Sequence, residues 1–225
     1  MNPGISRSRR GLGPWLATLC VAAAAPRSVP AKEVAFEQVF SDRGEPRALH
    51  YQATFVSRGA EHRLEVWRDG GRRLRRRTDE AIETYAFREP GDPEFRMSVL
   101  DVKRRIHTRI DRTNLYRIGS FTDWFDLAHG LRHPKGEYRV ARADAPEGAP
   151  KAVGACRWWD LTQDGQTSHV CWSARDRIPL LIQAGDGKVV WKVAAVDRGP
   201  IAPGTFEIHD EGFVRNDANQ DIERD

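Results

Sequence analysis

The stretch Glu61-His62-Arg63-Leu64-Glu65-Val66-Trp67-Arg68-Asp69-Gly70-Gly71-Arg72-Arg73-Leu74-Arg75-Arg76-Arg77 is the most legible part of the chain. Leu64, Val66 and Arg68 recur at every second position, the period of a strand, and Gly70-Gly71 supplies the positive φ that a tight hairpin needs. The arginine run then returns antiparallel, with Arg73, Arg75 and Arg77 on one face and Arg72 and Arg76 beside Leu74 on the other. Upstream, residues 48–56, with Tyr51 and Phe55, read as another strand. Before them Phe36, Val39 and Phe40 share one side of a helix expected over residues 31–40, which the turn at Gly44 and Pro46 ends. Downstream, residues 82–88, 95–102 and 105–109 continue the meander, punctuated by Pro90-Gly91-Asp92-Pro93 and by residues 101–104.

The period then changes. Trp124, Leu127, Ala128 and Leu131 fall at helical spacing, Thr122 is the expected N-cap and Pro134 the stop. Residues 144–154, polar and rich in Gly, Ala and Pro, read as a loop. Strands return at 156–161, 168–173, 180–183 and 188–196, joined by turns at Asp164-Gly165 and Gly185-Asp186-Gly187. The sum is a mainly β chain with helices (α+β): one antiparallel sheet, a helix before it and a second helix inserted midway.

The 225 residues carry a formal charge of +4, but residues 1–31 hold four arginines and no acid. Without them the chain has 32 basic and 32 acidic residues, which removes the whole-domain case for a nucleic-acid binder. Arg7–Arg10, the apolar run from Leu16 to Ala25 and the small residues after it read as a cleaved export signal, with a periplasmic destination. Ser8-Arg9-Arg10-Gly11-Leu12 fits the twin-arginine route, and an ordinary charged leader fits the same residues. The apolar run is about half of what a membrane span requires, so no transmembrane segment is expected in the mature chain. Residues 32–225 form a single domain with a polar C-terminal tail; a mean hydropathy of −0.62 excludes a polytopic membrane protein.

Cys20 leaves with the leader, which pairs Cys156 with Cys171. A register placing them opposite one another needs a hairpin loop centred on Gln163-Asp164, the expectation here. A tight Asp164-Gly165 turn would leave them diagonal. In either register Trp159 and Leu161 share a face with Val170 and Trp172, and the cysteines and Trp158 occupy the other.

From Cys171-Trp172-Ser173-Ala174-Arg175-Asp176-Arg177-Ile178-Pro179-Leu180-Leu181-Ile182, with the Asp186-Gly187 turn, Trp191 and Pro200–Phe206, the C-terminal half resembles the lipoprotein-carrier-like periplasmic proteins. That superfamily includes the outer-membrane lipoprotein carrier, its membrane-attached receptor and a stress-sensor domain that binds an anti-sigma factor. The resemblance covers most of residues 32–210. It implies an unclosed antiparallel β half-barrel with helices on its concave face and an apolar cavity between. The carrier's lid-locking arginine has too many competitors here to be placed from sequence.

No nucleophile elbow, phosphate loop, dinucleotide fingerprint or His-Glu-x-x-His occurs, so the expectation is a non-enzymatic protein without a cofactor. The leading function is binding of an apolar or amphipathic ligand, such as an acyl chain or lipoprotein, in a cavity lined by Trp67, Trp124, Leu127, Leu131, Trp159, Trp172 and Trp191. The expected arrangement has Trp124, Leu127 and Leu131 facing Trp159, Trp172 or Trp191 across a gap. A regulatory module docking a protein partner or anionic surface through Arg73, Arg75, Arg77, Arg105 and Arg109 is the alternative, a metal-handling accessory the second. Asp126, His129 and His133 have ligand-like helical spacing, but capping and surface roles account for them better, so no metal is expected. Asp217, Asn219 and Asp221 begin like a calcium loop and lack its glycine and final Glu.

Overall fold

A computed structural model describes residues 33–89, 91–92, 94–111 and 123–218. The expected export signal, Pro90, Pro93, Arg112, Ser120, Thr122 and the tail from Asn219 onward lie outside the described residues. Among the described residues thirteen strands form one unclosed sheet in the order β1-β8-β9-β10-β11-β12-β2-β3-β4-β5-β6-β7-β13. The central run is β2 (Ala48–Ser57), β3 (Ala60–Asp69), β4 (Arg73–Thr78), β5 (Ile82–Phe87), β6 (Arg96–Asp101) and β7 (Ile106–Asp111). The C-terminal group is β8 (Tyr138–Arg142), β9 (Arg157–Gln163), β10 (Gln166–Ser173), β11 (Ile178–Ala184) and β12 (Val189–Asp197). These pair antiparallel, and β12 joins β2 to make one sheet of the two groups. β13 (Val214–Asp217) adds to β7 in parallel at one end, and β1 (Glu33–Val34) pairs with β8 at the other.

Two short α-helices occur among the described residues: α1 (Phe36–Val39) and α2 (Trp124–His129). The helix expected over 31–40 is therefore cut short. Its upstream residues Glu33 and Val34 pair with Ala141 and Val140 instead, because a ladder partner outcompetes a helix too short to stand alone. Phe36 and Phe40 remain buried as the helical spacing predicts.

Antiparallel partners point to one side, so the pairs Arg68–Leu74 and Val66–Arg76 define a helix face that also carries Leu49, Tyr51, Ala86, Met97, Trp191 and Val193. Trp124, Leu127 and Ala128 of α2 complete that cluster. Phe125 and Leu131 turn into a second cluster with Phe36, Phe40, Val140, Val170 and Trp172. Each large side chain fully buried here contributes on the order of 2 kcal/mol. Asp123 caps α2, its Oδ1 accepting from Asp126 N at 2.8 Å, the role assigned from sequence to Thr122. Gly130 closes the helix at φ 67° and lies flat on Trp191: a Cβ there would come within 2.7 Å of the indole.

The β9–β10 hairpin corrects the expected register. Asp164 and Gly165 both take positive φ, 51° and 72°, the two-residue turn that Asp-Gly favours. Gln163 thus pairs with Gln166, and Cys171 lies opposite Trp158. Cys156, one residue before β9, reaches Cys171 diagonally, and the disulfide forms with Cα atoms 5.3 Å apart. The expected division of faces is present: Trp159 and Leu161 pack with Val170 and Trp172, and Cys156 and Trp158 pack on the other cluster.

Candidate functional site

Beneath α2 the sheet places two charges, Arg68 and Arg76, where its period demands apolar residues. Arg68 follows Leu64 and Val66 onto the helix face and is fully buried. Its Nη1 donates to Ala128 O (3.2 Å) at the end of α2, and its Nη2 to Asp176 O (2.8 Å) after β10. Arg76, its neighbour on that face, donates to Leu127 O at 3.3 Å. Two guanidiniums therefore hold the carbonyls of the last turn of α2, groups that a helix end leaves without partners.

Glu45, from the turn after α1, completes the cluster. Its Oε2 lies 3.3 Å from Arg68 Nε and 3.5 Å from His129 Nε2, all three without a hydrogen-bond partner. Burial raises the Glu45 pKa, and Arg68 opposes the rise. His129 Nδ1 lies 2.8 Å from Arg68 Nη1, which only donates, and 2.5 Å from Arg177 O, which only accepts, so the ring nitrogen satisfies one of the two at a time. Burial and the Arg68 charge lower its pKa to about 3, which keeps the ring neutral. Sequence reading missed Glu45 altogether. The signal for Arg68 was present, as a charge in register with Leu64 and Val66.

The candidate cavity residues separate. Trp124, Leu127 and Trp191 meet under α2, with no gap between Gly130 and Trp191. Leu131, Trp159 and Trp172 belong to the second cluster around α1. Trp67 is corrected: it lies on the opposite face, stacked on His50 at 4.9 Å beneath Arg75 and Arg77. Its odd number among Leu64, Val66 and Arg68 requires that. One recess of about 190 Å3 lies at Trp191, beside Phe55, Val56 and Val189.

Arg73, Arg75 and Arg77 share the opposite face as their parity predicts, but their charges are taken. Arg73 pairs with Asp69, Arg75 with Glu83 at 2.8 Å, and Arg77 with Glu65 at 2.5 Å. The 3-10 turn Pro203–Phe206 lies across them, Thr205 O accepting from Arg75 and Phe206 under Arg73. Arg105 donates to the carbonyls of Glu211 and Gly212. Arg109 borders a separate recess of about 450 Å3 beside His107 and Asp210.

The candidate ligand triad also divides. His129 turns into the Arg68 cluster, while Asp123 joins Asp126 and His133, their ligand atoms within 4.8 Å of one another. Asp123 and then Asp126 raise the His133 pKa to about 10, the behaviour of an imidazolium held by two carboxylates. This pair is expected to stabilise the fold fully below pH 6.5, the ordinary His value, and to lose that contribution as pH rises through about 10. The stability difference between wild type and His133→Ala should fall by about 1 kcal/mol between pH 6 and pH 11, given partial solvent screening, leaving only the packing of the ring on Phe36 and Phe125. Urea unfolding at several pH values measures it; a difference that grows with pH contradicts the pairing.

No protein-family model matches the chain, and no curated protein matches it. Two solved structures, PNGF-II in space groups C2 and P21, align over 78% of the chain at 9% identity, with TM-scores of 0.39 and 0.38. The chain spans 32% of the length of each. Neither a fold family nor an activity is taken from a likeness at that level.

Proposed function

We propose that the protein is an exported, non-catalytic binding protein for an apolar or amphipathic ligand such as an acyl chain or lipoprotein, built as a lipoprotein-carrier-like half-barrel with α2 covering its concave face. The observation that carries this reading is the attachment of α2. A six-residue helix lies over an apolar floor of Leu49, Tyr51, Val66, Leu74 and Trp191, and buried Arg68 and half-buried Arg76 grip its last carbonyls. Such bonds from a charged donor hold α2 by roughly 1.5–3 kcal/mol each, small enough that α2 serves as a cover that an entering ligand displaces. At about 25 cal/mol per Å2, a chain covering roughly 300 Å2 gains about 7 kcal/mol. That is comparable with the burial α2 surrenders at Trp124 and Leu127. Export is supported by the Cys156–Cys171 disulfide and by the leader-like residues 1–31. No described helix is long and apolar enough to cross a membrane.

Docking of a partner through Arg73, Arg75 and Arg77 has less support, because those charges are paired and partly covered. Metal handling has less again, since His129 and His133 point apart. Titration with a fluorescent fatty acid tests the proposal: saturable binding at micromolar protein, with a change in tryptophan emission, is expected. Absence of binding under those conditions overturns it.

A further inference from the structure

Several arginines stand apart from the paired network, and three of them lie together. Arg47, Arg72 and Arg96 make no side-chain hydrogen bond or ion pair among the described residues, whereas Arg73, Arg75, Arg77 and Arg198 all hold carboxylates. The three converge with Arg73 and Arg88 on a cavity of about 780 Å3 at the rim of the sheet, where the β3–β4 hairpin meets the end of β5. Two carboxylates line it, Asp69 and Glu89, and Asp69 is already engaged by Arg73. Five guanidiniums against two lining carboxylates, with Glu45 and Asp42 acting on Arg88 from behind, leave an excess of positive charge among the described residues.

The cavity touches the space under α2 through one residue. Arg88 donates its Nε to Gly71 O, and its guanidinium lies 4.4 Å from the centre of the Trp124 ring. Trp124 in turn meets the edge of Phe95 at 5.7 Å. Gly71 keeps the junction narrow: a Cβ there would lie 2.7 Å from Glu45 Oε1 and 3.0 Å from Arg88 Nη2. A cationic cleft thus opens beside the first residue of the cover helix.

We infer that the ligand is an anionic amphiphile whose phosphate head is held by Arg47, Arg72 and Arg96 while its chain runs past Trp124 under α2. The inference rests on the binding reading above and adds the head-group chemistry to it. Guanidinium forks match the paired oxygens of a phosphate, and several of them favour a doubly charged group over a single carboxylate. The clustering of three free arginines in one cleft supplies the charge.

The test compares dodecyl phosphate, uncharged dodecyl glucoside and inorganic phosphate by calorimetric titration at low salt, below the micellar range. The proteins are wild type and the triple variant Arg47→Ala, Arg72→Ala, Arg96→Ala; the three residues hold no other side chain, so the fold should tolerate their loss. Dodecyl phosphate is expected to bind wild type about tenfold tighter than the glucoside, with the advantage abolished in the variant and glucoside binding unchanged. Equal affinity for the two amphiphiles overturns the inference and leaves the binding function standing, as does a phosphate preference that survives in the variant. If neither amphiphile binds, the function itself fails; inorganic phosphate binding that the variant loses would then assign the cleft to free phosphate and overturn the amphiphile.

Discussion

Arg68→Met is expected to destabilise the protein by about 3–5 kcal/mol, the usual consequence of removing one partner from a buried charge pair. The cost arises from what remains. Glu45 Oε2 would face a neutral interior with His129 Nε2 at 3.5 Å, and Ala128 O and Asp176 O would lose their donor. The 3.3 Å contact between Arg68 Nε and Glu45 Oε2 is an ion pair without hydrogen-bond alignment. Part of the penalty should therefore be electrostatic and recoverable. Adding Glu45→Gln to Arg68→Met should restore about 1–2 kcal/mol, whereas Glu45→Gln alone should destabilise, so the two changes are coupled. Urea unfolding of the four proteins closes the cycle. A loss under about 1 kcal/mol for Arg68→Met would mean that water already solvates the cluster and that α2 is not held by this guanidinium. A second readout separates attachment from stability: the Met variant should bind a fluorescent fatty acid faster than wild type, because lifting α2 no longer breaks these bonds.

Much of this architecture is legible in local pattern. The alternation of Leu64, Val66 and Arg68, the glycine pair after Asp69 and the helical spacing of Trp124, Leu127, Ala128 and Leu131 each specify an element that is present. What escapes is what depends on distant partners. β8 has two charged residues among its five and becomes a strand because β1 and β9 flank it. β13 is exposed along its length and is recruited by the edge of β7. The site divides in the same way. The arginines of β4 were visible as a charge run, but their neutralisation comes from Glu65 and Glu83 on neighbouring strands. Glu45 sits in a polar turn and resembles any other surface acid until Arg68 and His129 close over it. Trp67 could have been excluded from the cavity, since residues 64, 66 and 68 claim the helix face and leave 67 to the other.

Trp124→Ala is expected to lower stability by about 3–5 kcal/mol, a fall in melting temperature of about 10 °C for a chain of this size. Trp124 is 4% exposed, roofed by Arg88 and edged by Phe95, and its removal leaves a void at the first turn of α2. Trp124→Phe should cost far less, about 1 kcal/mol or under. Trp124 Nε1 is buried with no acceptor, and deleting an unsatisfied donor offsets part of the lost contact area. The alanine variant also separates a plain core residue from the wall of a binding site. If the space under α2 accepts an acyl chain, a saturating apolar probe such as dodecanol should fill the void and raise the melting temperature of Trp124→Ala more than that of wild type, because the chain no longer has to displace the indole. The expected increment is about 3 kcal/mol for probe at roughly a hundred times its dissociation constant, against a smaller one for wild type. Equal increments, or none in either protein, would make Trp124 a core residue alone and would place any ligand elsewhere on the sheet. The Phe variant is the control: it keeps the wall filled and should respond to the probe as wild type does.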